Sequence, residues 1–317
     1  MRGPGERAAR SVGCMSKFQA LDLGLVVRGH GRHYIVEDAD GRRFVCHPRG
    51  KKSDAVVGDQ VRFAEASADE GVVEAVEPRR NLLFRQDEWK TKSFAANLDQ
   101  LLVLVAVEPV FSESQLCRAL IAAESAGIRA AIALNKTDLP GADAARQRLA
   151  PYREAAMGLT VFEVALKADP AGSRATLSPW LDGQRSFVLG PSGTGKSTLI
   201  NLLVQDAQAQ VGEISQALNS GRHTTTTTQW YWTDESRRTA LIDSPGFQEF
   251  GLRQIDAAEL WRWMPDLRAH ADCRFHNCSH IHEPGCGVRD AVDAGRISAS
   301  RYRIYGEILA ELQHKTW

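Results

Sequence analysis

The chain has 317 residues, 43% apolar and 25% charged, with 39 Lys/Arg against 39 Asp/Glu and no formal net charge. That length predicts two or three domains of ordinary soluble composition. No apolar run approaches the roughly 18 residues of a spanning helix. The N-terminal arginines have no apolar segment behind them, so a membrane or secreted protein is excluded and a cytoplasmic one expected.

Residues 1–17 are rich in Gly, Arg and Ser and read as a disordered lead-in. Residues 18–80 read as a small barrel. Short β-type runs at 23–27, 33–37, 43–47, 56–63 and 71–76 alternate with turns, and Asp40-Gly41 marks a hairpin. Five short strands with no helical period suggest an OB-fold. Residues 1–52 hold eleven Lys/Arg against five acids (Glu6, Asp22, Glu37, Asp38, Asp40), which predicts a polyanion-facing module. The charged stretch that follows, through about residue 97 and including Trp89, reads as a linker packed on the next domain.

Residues 81–255 then read as an α/β domain. The run 101–107 is continuously apolar, as in a buried parallel strand. A helix is predicted over 115–126 and a strand over 129–134, with further strands at 161–164, 186–189 and 239–242. The strand 129–134 runs into Asn135-Lys136-Thr137-Asp138. In Asn-Lys-x-Asp the carboxylate of Asp138 accepts from both the ring N–H and the exocyclic amine of guanine, a donor pair that adenine lacks on that edge. Lys136 covers the base, and Asn135 ties this loop to a phosphate loop. That loop is Gly190-Pro191-Ser192-Gly193-Thr194-Gly195-Lys196-Ser197, ahead of the helical run beginning at Thr198. It fits G-x-x-x-x-G-K-[ST], with backbone N–H groups on the phosphates, Lys196 on the β- and γ-phosphates and Ser197 on magnesium. An ordinary GTPase carries the phosphate loop first and the base reader last. Here the order is reversed, which reads as a circularly permuted GTPase with GTP/GDP and magnesium as its cofactors.

Asp243-Ser244-Pro245-Gly246 fits an Asp-x-x-Gly switch, with Asp243 toward magnesium and Gly246 donating to the γ-phosphate. Between the two lies Gly221-Arg222-His223 and a five-threonine run at 224–228. Thr225, or Thr224, is expected to close on magnesium. Phe247 stands where many GTPases place a water-orienting glutamine. Hydrolysis is therefore expected to be slow unless another group substitutes, and His223 is the nearest candidate. Residues 256–317 read as a mostly helical zinc-binding domain. Cys273, Cys278, His280 and Cys286 form a closed Cys3His set, the composition of structural tetrahedral zinc, with His276 and His282 as spare imidazoles.

Ala96-Asn97-Leu98-Asp99-Gln100, the two nucleotide motifs, the Gly-Arg-His-Thr-Thr-Thr switch, Asp243-Ser244-Pro245-Gly246 with the trailing Glu249-Phe250-Gly251-Leu252, and the Cys/His spacing resemble the bacterial ribosome small-subunit-dependent GTPase A family over almost the whole chain. The resemblance implies an OB-fold, a permuted GTPase and a zinc-binding domain. It also implies a role in late maturation of the small ribosomal subunit, binding to that subunit and its rRNA, and stimulation of hydrolysis by the subunit. A monomer is expected. The loop after strand 161–164 departs from the family pattern, reading Ala165-Leu166-Lys167 where Ser or Thr is frequent. Because Gly246 feeds almost directly into the zinc region, a clamp is expected in which nucleotide state reorients that region.

Overall fold

A computed structural model describes residues 21–30, 33–50, 54–86, 91–154, 156–204, 228–244 and 252–314. The lead-in, Trp89, residues 221–227 with His223, Thr224 and Thr225, and residues 245–251 with Gly246 and Phe247 lie outside them.

The first five strands close a barrel: β1 (Asp22–His30), β2 (His33–Glu37), β3 (Arg43–Pro48), β4 (Gln60–Glu65) and β5 (Glu70–Val76). β1 pairs with β2, β2 with β3, β3 in parallel with β5, β5 with β4, and β4 back with β1. Alternate residues point inward. Val26, Val36, Phe44, Val61, Phe63 and Val73 form the plug, and the rings of Phe44 and Phe63 lie 5.1 Å apart. The apolar run 56–63 is not all strand. Gly58 (φ +91°) and Asp59 turn the chain, Asp59 Oδ2 accepts from the Val56 amide at 2.8 Å, and β4 starts only at Gln60.

The stretch read as a linker is a hairpin, β6 (Leu82–Gln86) with β7 (Thr91–Ala96). Leu83, Phe94 and Ala95 enter the main core, and the Phe94 ring meets Phe187 at 4.9 Å. The segment packs on the next domain as expected, but as two paired strands rather than a linker.

The α/β sheet has the order β10-β9-β8-β11-β13-β12. Its strands are β8 (Gln100–Ala106), β9 (Arg129–Asn135), β10 (Thr160–Glu163), β11 (Arg185–Leu189), β12 (Gln229–Trp232) and β13 (Ala240–Asp243). All neighbours are parallel except β12 with β13. Every residue of β8 is buried because both faces are covered. Leu101, Val103, Val105, Ile132, Leu134 and Phe187 pack on the side of α1 (Glu113–Ser125) and the C-terminal region. Leu102, Leu104, Ala131, Ala133, Val188 and Leu241 pack on the side of α3 (Pro170–Leu181) and α4 (Lys196–Leu203). α2 (Ala142–Arg153) lies against β10. α1 starts where the Ser112 hydroxyl accepts from the Gln115 amide, and α3 where Asp169 accepts from Gly172 ahead of Pro170.

One arrangement differs from expectation. β12 pairs with β1 through Arg28 opposite Gln229, so the barrel joins the sheet edge as well as the chain connection. Of the basic stretch 1–52, the described residues Arg42, Arg43 and Arg49 each meet a carboxylate, and most of the other basic residues lie outside the described ones. Arg42 pairs with Glu65, Arg43 with Glu37, Arg49 with Glu74, Arg62 with Glu77 and Arg79 with Asp59. Several of these acids lie beyond residue 52 and reach the arginines only across neighbouring strands.

Beyond the sheet come a 3-10 helix (Ala257–Trp263), a short helix (Pro265–Arg268), the cysteine loops, and helices Gly287–Asp293 and Ala299–Gln313. This region packs on the α/β core. Arg301 is fully buried and donates to both oxygens of Asp266 at 2.8 Å, with the Tyr152 ring of α2 at 5.1 Å and Cys117 of α1 at 3.1 Å. Its apolar residues share one cluster with the sheet. A rigid-body swing of this region would pull Arg301 away from Tyr152 of α2 and Cys117 of α1. Among the described residues no helix is long and apolar enough to cross a membrane.

Candidate nucleotide site and metal centre

β9 and β11 run parallel on either side of β8, so the loops after them open on the same sheet edge. Between them is a cleft of about 650 Å³. Asn135, Lys136, Asp138 and Leu139 line one end, and Gly190, Pro191, Ser192, Gly193, Gly195, Lys196, Ser197 and Thr198 the other.

The phosphate loop depends on glycine. Gly193 and Gly195 have φ of +82° and +103°, and a Cβ on Gly195 would lie 2.4 Å from Asn135 Nδ2. Gly190 leaves no room either, its Cβ position being 2.7 Å from the Leu104 carbonyl. Thr194 is buried and turns inward, its hydroxyl donating to the Pro191 carbonyl at 2.8 Å. α4 then starts at Lys196 with no side-chain cap, leaving its first N–H groups to the cleft. The Lys196 ammonium donates to Asp243 Oδ1 at 2.5 Å and to the Ser244 carbonyl at 2.7 Å, which brings Asp243 to the phosphate end. Burial pushes the Asp243 carboxyl above its usual range, while Lys196 draws it back down.

The two loops are tied by one side chain. Asn135 donates from Nδ2 to the Thr194 carbonyl at 2.7 Å and accepts at Oδ1 from the Leu166 amide at 3.0 Å. Lys136, at φ +63°, donates to the Glu108 carbonyl at 2.6 Å. Thr137 turns away, its hydroxyl donating to the Val164 carbonyl at 3.1 Å, and does not line the cleft. Asp138 stays exposed at the mouth. Leu166 and Lys167 form a wall. Leu139 and the Glu108 carbonyl were not singled out in the sequence. A backbone acceptor has no residue signature, and Leu139 only follows the motif.

Cys273, Cys278, His280 and Cys286 bring their ligand atoms within 4.8 Å of one another, without His276 and His282, which are exposed. His280 Nδ1 lies 3.4 Å from the sulfurs of both Cys273 and Cys286, and those two sulfurs are 3.9 Å apart. A tetrahedron with Zn–S of about 2.3 Å has S···S edges of roughly 3.8 Å, so the donor set fits zinc. Burial pushes the Cys278 thiol up to about 12 and keeps His280 neutral by lowering its pKa. These thiols would lose their protons at neutral pH only with a cation among them. His280, at φ +62°, is held by the Tyr302 hydroxyl on its carbonyl at 2.7 Å and by the Trp261 ring at 5.3 Å. Glu283 accepts from the Ser279 amide at 2.8 Å and closes the loop.

The family model described as RsgA GTPase matches residues 76–253. A protein named Small ribosomal subunit biogenesis GTPase RsgA from Variovorax paradoxus is 58% identical over 323 residues, covering 100% of both chains. One of the same name from Paraburkholderia phymatum is 50% identical over 314 residues, covering 98% of both. Among solved structures, YjeQ from Thermotoga maritima matches with TM-score 0.71 and 29% identity over 93% of this chain and 99% of that one. YloQ, described as a circularly permuted GTPase, has the same fold at TM-score 0.68 and 23% identity, over 95% and 98%. The chain belongs to the RsgA GTPase family, and it is a GTP-hydrolysing enzyme with a barrel, a circularly permuted GTPase core and a helical C-terminal region.

Proposed function

We propose that this chain binds the small ribosomal subunit and its rRNA and assists late maturation of that subunit, with GTP hydrolysis stimulated by the subunit. The observation that carries the nucleotide half is the Asn135–Thr194 tie, which unites a guanine-reading loop and a phosphate loop in one cleft. The names of the two RsgA relatives support the ribosomal half. The proposed domains are 18–80, 81–255 and 256–317 behind a lead-in at 1–17, in a cytoplasmic monomer.

In this reading Asp138 accepts from guanine, and Asn135, Lys136 and Thr137 shape the loop that presents it. The amides of residues 190–198 hold the phosphates. Lys196 leaves Asp243 for the β- and γ-phosphate oxygens, which frees the Asp243 carboxylate. Magnesium, when bound, would neutralise charge on those oxygens, with Ser197, Asp243 and Thr225 as the residues that hold it. Gly246 donates to the γ-phosphate. His223 orients the attacking water in place of the glutamine that Phe247 displaces. One structural zinc, when bound, would cross-link Cys273, Cys278, His280 and Cys286.

Single-turnover hydrolysis with and without purified small subunits tests this. The expected result is a slow basal rate, a large stimulation, and loss of most stimulation in His223→Ala at nearly unchanged GTP affinity. A fast basal rate indifferent to subunits would overturn it. Affinity and rate falling together in His223→Ala would reduce that residue to shaping the switch.

A further inference from the structure

Arg28 stands apart from the other described arginines of the barrel. Arg42, Arg43, Arg49, Arg62 and Arg79 each meet a carboxylate. Among the described residues Arg28 meets none, and its Nε and Nη1 are buried with no hydrogen-bond partner. Gln229 faces it across the β1–β12 pair, and Gln229 Nε2 is likewise buried and unpartnered. Three stranded donors at one point cost about 1–3 kcal/mol each if nothing fills them.

Their positions on the strands group these donors. Residues directly opposite on paired strands share a face. Gln229 is opposite Asp243 on β13, so Arg28, Gln229 and Asp243 form a row across three strands. Tyr231, two residues on from Gln229, packs with Leu199 and Leu203 of α4, which sets this row on the phosphate-loop side of the sheet. The carboxylate in the row, Asp243, is taken by Lys196 at 2.5 Å. Tyr231 is pushed up to about 12 by burial, with the Asp243 charge adding, and remains a neutral hydroxyl. Arg28 offers donors and no acceptor, in a fork that suits an oxyanion.

We propose that Arg28 and Gln229 form a phosphate-recognition site at the seam between barrel and GTPase sheet, separate from the phosphate loop. The phosphate comes either from an RNA backbone laid over the seam or from the γ-phosphate of the bound nucleotide. It rests on the reading of the chain as a subunit-binding GTPase. A phosphate seated there would bridge the barrel to β12 and, through Gln229, to the strand that presents Asp243.

The test compares full-length wild type, Arg28→Met, Arg28→Lys and Arg49→Met, the last removing a solvent-facing guanidinium paired with Glu74 as a charge control. Each is assayed for binding to purified small ribosomal subunits across a salt series, and for affinity toward GDP and a non-hydrolysable GTP analogue. The expected result for Arg28→Met is about tenfold weaker subunit binding, with the slope of log K against log salt reduced by about 0.7–0.9, and both nucleotides bound as before. That assigns the phosphate to RNA. Tenfold weaker analogue binding with GDP and the salt slope unchanged assigns it to the γ-phosphate. Arg28→Met matching Arg49→Met in every assay overturns the site. Should Arg28→Met fail to fold, Arg28→Lys is read the same way: kept charge with a lost fork should preserve the slope and still lose affinity, and wild-type behaviour overturns the site. If wild type itself does not bind subunits, the parent reading fails and the nucleotide assay still judges the site.

Discussion

The nucleotide cleft and the cysteine cluster are both built to hold charged ligands, and they are built from opposite materials. The cleft uses backbone: loop amides, two left-handed glycines and one asparagine between loops, all at an open sheet edge. The cluster uses side chains, three sulfurs and one imidazole closed inside a shell of Trp261, Tyr302 and Tyr305. An open site of amides can release its ligand each turnover. A closed site of thiolates has no free position and serves folding. The two regions share one core, so the lesson is one of separable chemistry on a common framework.

Three substitutions probe that separation. Cys278→Ser should have the largest effect and abolish zinc retention, because a three-ligand site loses most of the roughly 10–16 kcal/mol typical of such centres. Metal analysis should find one zinc in wild type and none in the variant, while GDP binding survives. Loss of GDP binding in a soluble variant would mean that the two sites are not separable. Arg301→Ala comes next. It strands Asp266 in the interior and should cost about 3–5 kcal/mol by denaturant melts. Because Arg301 touches α1 and α2 as well, zinc release and nucleotide release should coincide along that melt, and two separate transitions would contradict a shared core. Asp138→Asn should be the mildest, weakening GDP by roughly 2–3 kcal/mol through loss of charge-assisted acceptance. Zinc content and melting should not move. Equal wild-type affinity for GDP and ADP would remove the guanine assignment.

What could be read from residues alone follows the same division. Both nucleotide motifs and the Cys/His set were legible because their chemistry demands particular residues at fixed spacing. The barrel strands were legible from alternation. The β6–β7 hairpin was not, since its apolar residues fall in the short clusters 82–84 and 94–96 that show no alternation and lie among charges. β12 is only Gln229–Trp232, too brief to show a period. Pro151 and Pro179 interrupt the helical pattern near the ends of α2 and α3. Arg301 and Asp266 each read as surface residues 35 positions apart, and only the fold makes them a buried pair. The partners of Arg42 and Arg49 were likewise hidden, since Glu65 and Glu74 lie more than twenty positions on.

The order of the strands also sets a schedule for synthesis. β8 is buried throughout and apolar after Gln100, it lies between β9 and β11, and its Gln100 pairs with Ser186. As the chain leaves the ribosome, β9 can pair with β8 early and β10 with β9, but the other edge of β8 must wait about 86 residues for β11. At roughly 5–20 residues per second that is on the order of 4–17 seconds. For that interval the nascent protein displays an unpaired apolar strand edge, the feature most apt to recruit a neighbouring chain or a chaperone.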